Sequence, residues 1–135
     1  MNLKNKKVII TGATGGIGNS LVKKFADNGA VVLATGTKEE KLNKLKSEFS
    51  NIHVEKFNLG EHAKIESFIE SANNKLDGLD ILINNAGINL DSLTIRLTAE
   101  NWKKVLDINL TSTFLMCKSA IKKMLKSKSG KIINI

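Results

Sequence analysis

Tyrosine is missing from all 135 residues, cysteine occurs once, and six aromatic side chains, five phenylalanines and one tryptophan, make up 4% of the chain. A single cysteine, Cys117, excludes an internal disulfide and has no partner at metal-ligand spacing, so it reads as a small buried apolar residue. No apolar run approaches the roughly 20 residues needed to span a bilayer. Near the amino terminus, Val8-Ile9-Ile10 is too short for the core of a signal peptide, and the expected compartment is the cytoplasm. The lack of a tyrosine excludes any chemistry in which a phenol of this chain gives or takes a proton.

What is present is a soluble-type composition, 41% hydrophobic and 25% charged, enough to bury the core of one domain over residues 1–135. The formal net charge is +8, which favours anionic partners. The densest basic stretch, Lys122, Lys123, Lys126, Lys128 and Lys131, lacks interleaved aromatics, so it reads as a solvated face and no nucleic-acid partner is expected.

Short β-branched runs alternate with longer segments of helical period, the pattern of βαβ units around a parallel sheet. Strands are expected at 8–10, 31–35, 52–57, 79–83 and from 131. Helices are expected from Ile17 to a C-cap at Asn28-Gly29, with Ile17, Leu21 and Phe25 inward, then over 39–49 and 63–76, and from Ala99 to about Lys126 with Thr98 as N-cap. In the last of these, Trp102, Val105, Leu106, Leu110, Thr113, Cys117, Ala120, Ile121 and Met124 form an apolar stripe, and Asn109 falls inside it as an expected buried amide in need of partners. Right-handed crossovers give a Rossmann-type doubly wound α/β fold with strand order 3-2-1-4-5. Its ligand crevice opens above strands 1 and 4.

Both glycine-bearing motifs fall at the carboxyl ends of those two strands. Thr11-Gly12-Ala13-Thr14-Gly15-Gly16-Ile17-Gly18 follows the first strand and opens a helix. Gly12 permits a tight turn, Gly16 clears space for a pyrophosphate, and Gly18 allows close packing of the helix on the sheet. The helix start offers free N–H groups and the positive end of its dipole to phosphate. Asn84-Asn85-Ala86-Gly87 follows the fourth strand.

The spacing Gly-x-x-x-Gly-x-Gly together with Asn-Asn-Ala-Gly resembles the short-chain dehydrogenase/reductase family, from Lys7 to Ile135. The resemblance implies a nicotinamide dinucleotide bound by residues 12–18, with Asn85, Ala86 and Gly87 on its adenosine side and Asn58 and Leu59 bracketing the adenine. Gly36 stands where an acid would bind the adenosine ribose and repel a 2′-phosphate, while Thr37 and Lys38 can donate to that phosphate, so NADP(H) is the expected cofactor. Gly15 stands where many NADP-dependent relatives carry a basic residue, and Glu39 or Glu40 could reach back to the ribose.

In Asn109-Leu110-Thr111-Ser112 the resemblance makes Asn109 the asparagine of an Asn-Ser-Tyr-Lys catalytic tetrad, where it holds a water in a proton relay. The serine of that tetrad comes after the strand that begins at Lys131, and its Tyr-x-x-x-Lys later still. The expectation is therefore an amino-terminal part of a longer reductase, with an uncovered sheet edge beyond the fifth strand.

Within the family, Ala86 to Leu93 with Arg96-Leu97 and Glu100-Asn101-Trp102 most resembles bacterial 3-oxoacyl-[acyl-carrier-protein] reductases. That implies an NADPH-dependent reduction of a 3-keto acyl thioester in fatty acid biosynthesis, an acidic carrier protein as partner, and a homotetramer paired through long helices. Lys128 stands where the subfamily has a basic carrier contact; Lys131 and Arg96 are further candidates, and a solvated surface charge is an equal reading of all three. Another short-chain dehydrogenase of alcohols, sugars or steroids, and a cofactor-binding unit without catalysis, are the alternatives.

Overall fold

A computed structural model describes residues 2–135. The chain runs β1 (Lys7–Ile10), α1 (Gly16–Asp27), β2 (Val31–Gly36), α2 (Glu39–Glu48), β3 (Ile52–Lys56), α3 (Ile65–Leu76), β4 (Ile81–Asn84), α4 (Ala99–Leu106), α5 (Ser112–Ser127) and β5 (Lys131–Asn134). Short 3-10 turns at His62–Lys64 and Thr94–Arg96 precede α3 and α4. All neighbouring strands pair parallel in the order β3-β2-β1-β4-β5, as the alternation of strands and helices requires.

The central strands are buried on both faces, which explains their unbroken apolar runs. Val8, Ile10, Val32, Ala34, Ile81 and Ile83 face α1 and α2, packed by Val22, Ala26, Leu42 and Leu45. Ile9, Leu33 and Leu82 face α3 and α5, packed by Phe68, Ile69, Ala72, Met116 and Ala120. Each fully buried aliphatic side chain contributes about 1.5–3 kcal/mol relative to exposure.

Two helix faces differ from the sequence reading. In α1 the sheet-facing residues are Gly18, Val22 and Ala26, whereas Leu21 and Phe25 flank the core and Ile17 is 62% exposed. The small residues let the helix lie close to β1, and Ile17 turns toward the crevice instead. In α5 the sheet-facing set is Ser112, Met116, Ser119, Ala120 and Met124. Trp102, Leu106, Leu110 and Ile121, expected to face inward, are exposed, as are Phe114 and Leu125. Cys117 is half-buried rather than buried.

The physical reason lies between α4 and α5. There Asp107–Thr111 forms one wide π turn, in which the N–H of Ser112 donates to the Asp107 carbonyl five residues back. The extra residue breaks the 3.6 period across the join, so a stripe extrapolated through it drifts off the core. The N-cap is as read: Thr98 Oγ1 accepts from the Asn101 N–H at 3.1 Å.

Helices α3 and α5 are also laced by Lys122–Glu66 and Lys123–Glu70. The hydrogen bond and charge of Lys122 hold the Glu66 carboxyl below its ordinary value. Lys122→Ala should raise it toward the ordinary carboxylate range, read as a shift of the Glu66 side-chain resonance during acid titration. The sign follows: the ion pair supports the fold above the usual carboxylate range and is lost as pH falls through the lowered value.

Candidate functional site

A cavity of ≈ 430 Å³ opens at the carboxyl ends of the strands, between β1 and β4 and across to β2 and β3. Gly12, Thr14, Gly15, Gly16, Ile17 and Gly18 form its floor, Gly36 and Thr37 one side, and Asn58 and Leu59 the far end. Asn85, Ala86 and Gly87 close the side nearest β4. Of residues 12–18, assigned to the cofactor from sequence, Ala13 alone is off the wall. It is fully buried in the core, and its N–H donates to the Thr35 carbonyl at 3.0 Å, tying the glycine turn to β2.

The turn is held by a small polar network. Thr11 Oγ1 accepts the N–H groups of Asn85 and Ala86, both at 3.0 Å, and the Asn85 amide donates back to the carbonyls of Thr11 at 3.1 Å and Gly12 at 3.3 Å. Thus the Asn-Asn-Ala-Gly segment fastens the loop after β4 to the loop after β1. Asn84, one residue earlier, is buried and donates to Asn134 Oδ1 on β5 at 2.9 Å, which secures the sheet.

Glycine is required at two places in this arrangement. Gly12 has φ +63°, and a Cβ there would lie 2.8 Å from Ala86 Cα. A Cβ on Gly18 would lie 2.1 Å from the Gly12 carbonyl oxygen.

A phosphate fits what these residues leave free. Gly15 caps α1 with no side-chain hydrogen bond, and no acid occupies the first turn, so the leading N–H groups of the helix face the cavity without a protein partner. A Cβ on Gly16 would meet nothing within 4 Å, so open space lies where a pyrophosphate would approach. Among the described residues, no aspartate or glutamate lies on the cavity wall, and no lysine or arginine either. Lys38 caps α2 outside it, and Glu39 pairs with Lys56 at 3.5 Å on the surface.

Asn109 is exposed, not buried as its place in the apolar stripe suggested, because the π turn carries it away from the sheet. Its amide is nonetheless held at both ends: Oδ1 accepts the Ile88 N–H at 2.8 Å, and Nδ2 donates to the Ile88 carbonyl at 2.9 Å. Ile88 is itself on the cavity wall, so Asn109 stands immediately behind it.

Lys128 and Lys131 lie elsewhere. Lys128 ends α5 in a left-handed conformation, and Lys131 pairs with Ile81 at the start of β4, at the opposite end of the strands from the cavity. Arg96 is exposed in the turn before α4.

Sequence reasoning passed over Thr11, Thr35, Phe57, Ile88 and Ile108 on the wall. Thr11, Thr35, Phe57 and Ile88 had a signal in adjoining Gly12, Gly36, Asn58 and Gly87; Ile108 is brought in only by tertiary packing.

Comparison with known proteins agrees with this geometry. Residues 6–135 match the family model described as short chain dehydrogenase. The chain is 38% identical over 140 residues to the 3-oxoacyl-[acyl-carrier-protein] reductase FabG of Aquifex aeolicus, covering 100% of this chain and 56% of that protein. It is 40% identical over 136 residues to the FabG of Rickettsia conorii, covering 100% of this chain and 55% of the relative. It is 36% identical over 134 residues to Nodulation protein G of a Rhizobium species, covering 98% and 55%. The chain thus spans about half the length of the curated relatives it matches. With the glycine turn, the Asn-Asn-Ala-Gly fastening and the parallel sheet in place, the chain belongs to the short-chain dehydrogenase family, oxidoreductases that work with a nicotinamide cofactor.

Proposed function

We propose that this chain forms the dinucleotide-binding part of an NADPH-dependent 3-oxoacyl-[acyl-carrier-protein] reductase of fatty acid biosynthesis. The observation that carries the reading is the crevice whose glycine turn and Asn-Asn-Ala-Gly loop meet above β1 and β4, in a chain 35% to 40% identical to several FabG reductases. In the crevice the start of α1 holds the pyrophosphate, Asn58 and Leu59 hold the adenine, and Asn85 to Gly87 line the adenosine ribose. NADPH is favoured because β2 ends in Gly36, Thr37 offers a hydroxyl beside it, and no carboxylate on the wall opposes a 2′-phosphate.

When bound, the reduced nicotinamide supplies a hydride to the 3-keto carbon. The alkoxide so formed would need a proton, and the donor that the family resemblance implies is a tyrosine, a residue type these 135 residues lack. Asn109 serves the relay that replenishes that donor. After its two bonds to Ile88, the amide keeps one N–H and one lone pair for a water on its exposed side. In a protein carrying the whole catalytic set, Asn109→Leu should lower kcat by about tenfold to a hundredfold while leaving the cofactor Kd nearly unchanged. Steady-state kinetics beside a binding titration separates the two.

The acidic carrier is the proposed protein partner, favoured by the +8 charge, with Lys128 as an outer contact remote from this chain's own crevice. The exposed row of Trp102, Leu106, Leu110, Phe114, Ile121 and Leu125 suits pairing with another copy in a homotetramer.

The reading is tested by titrating nicotinamide fluorescence with NADPH and NADH, then assaying a 3-oxoacyl thioester with a protein that carries the whole catalytic set. Preference for NADPH by about tenfold or more with thioester turnover supports it. Preference for NADH, or turnover of a free alcohol alone, assigns a different member of the family.

A further inference from the structure

The wide turn between α4 and α5 is clamped from outside the helix. His62 lies in the 3-10 turn after β3, and its Nε2 is 3.0 Å from the Asp107 carbonyl oxygen and 3.1 Å from Ser112 Oγ. Ser112 Oγ lies 2.7 Å from the Leu59 carbonyl and 2.8 Å from that of Asp107. One arrangement of protons satisfies all of these groups together. The Asp107 carbonyl has two lone pairs, and one already takes the Ser112 N–H of the wide turn. A carbonyl can only accept, so Nε2 must carry the imidazole hydrogen and fill the second. The single Ser112 hydroxyl proton then goes to Leu59.

Such turns are poor substitutes for α-helix and persist where something external satisfies them. Were the segment to revert, Thr111 would take the Asp107 carbonyl, and the part bearing Asn109 would rotate against α5 by about 100°. α5 itself cannot follow, because Ser112, Met116 and Ala120 are buried against the sheet. Ile108, in the same turn, reaches back toward Gly60, so the adenine-side loop and the wide turn are in contact at two points.

We propose that His62 is a positioning residue. Its imidazole holds the wide turn at Asp107–Thr111 in place and so fixes Asn109 against the backbone of Ile88. The device joins the loop that ends the adenine side of the crevice to the residue behind its β4 side. Its use in catalysis rests on the reductase reading, but amide exchange needs neither cofactor nor turnover, so failure of the clamp and failure of that reading are distinguishable.

The experiment is residue-resolved amide hydrogen exchange on this chain. His62→Leu should speed exchange at Ile88 and Ser112 by about tenfold, the scale of one lost hydrogen bond, with Leu82 at the sheet centre unchanged. His62→Gln, which offers an N–H at similar reach, should restore both amides to within about threefold of the parent. A merely space-filling histidine would give the reverse order, since leucine fills the volume without the donor. Unchanged Ile88 exchange in a folded His62→Leu, or equal rates in the leucine and glutamine variants, overturns the proposal. If His62→Leu also loses Leu82 protection, His62→Asn, whose amide falls short, is compared with His62→Gln: faster Ile88 exchange in the asparagine variant supports the clamp, and equal rates overturn it.

Discussion

Gly18→Ala is expected to lower the melting temperature by roughly 10 °C and to weaken dinucleotide binding by at least about tenfold. The added methyl would sit 2.1 Å from the Gly12 carbonyl oxygen and 2.8 Å from Asn85 Nδ2. Both neighbours are fixed: the oxygen belongs to backbone, and Asn85 Nδ2 already donates to that same oxygen and to Thr11. The start of α1 must therefore move out from the sheet, at a cost of about 1–3 kcal/mol or more. Movement there also misdirects the N–H groups that face the phosphates. Gly16→Ala is the control that separates packing from ligand approach, because its methyl meets nothing within 4 Å. It should leave the melting temperature within about 2 °C of the parent while reducing affinity. Thermal unfolding and fluorescence titration of the pair decide the matter; equal behaviour of the two variants would refute the division of roles.

The close packing at Gly12 and Gly18 was legible in the sequence because each glycine sits at a fixed offset from an apolar run. So was the sheet: five short β-branched runs separated by helical segments leave one economical order, and β3-β2-β1-β4-β5 is observed. Element ends were less legible. β4 starts at Ile81 rather than Leu79, and Asp80 just before it accepts the Lys7 N–H on its carboxylate at 2.8 Å. Residues 63 and 64, expected to begin α3, belong instead to a separate tighter turn over 62–64 that places His62.

What could not be read was which side of a helix faces the sheet. Apolar periodicity marks Leu106 and Leu110 as firmly as Ala120 and Met124, yet the first two are exposed and the last two buried. A stripe for the core and a stripe for another surface carry the same signal, and one wide turn shifts the phase between them. Asn109 was found through its family motif, not through its surroundings, and its predicted burial failed for this reason. His62 carried no signal, because its partners Asp107 and Ser112 lie 45 and 50 residues away.

Gly36→Asp should reverse the cofactor preference, cutting NADPH affinity by about a hundredfold while leaving NADH affinity unchanged or better. Gly36 closes β2 on the cavity wall beside Thr37. A carboxylate there can accept from the ribose hydroxyls of NADH, but it confronts the 2′-phosphate of NADPH at close range, where like charges cost several kcal/mol. Packing opposes the substitution less than charge does. The new Cβ would lie 3.2 Å from Thr14 Oγ1 and 3.3 Å from its Cγ2, both at the movable end of a side chain, so Thr14 need yield only by a few tenths of an ångström. The two effects are separable by experiment. Repulsion falls as salt screens it, so the NADPH deficit should shrink between 0.05 and 0.5 M salt, on the order of the range over which the Debye length drops below 5 Å. Crowding against Thr14 would instead weaken both dinucleotides alike and be relieved by adding Thr14→Ala. Parallel titrations of NADPH and NADH at the two salt concentrations, with and without Thr14→Ala, therefore separate charge from bulk at the end of β2, and equal NADPH affinity in the parent and Gly36→Asp would refute the proposed phosphate preference.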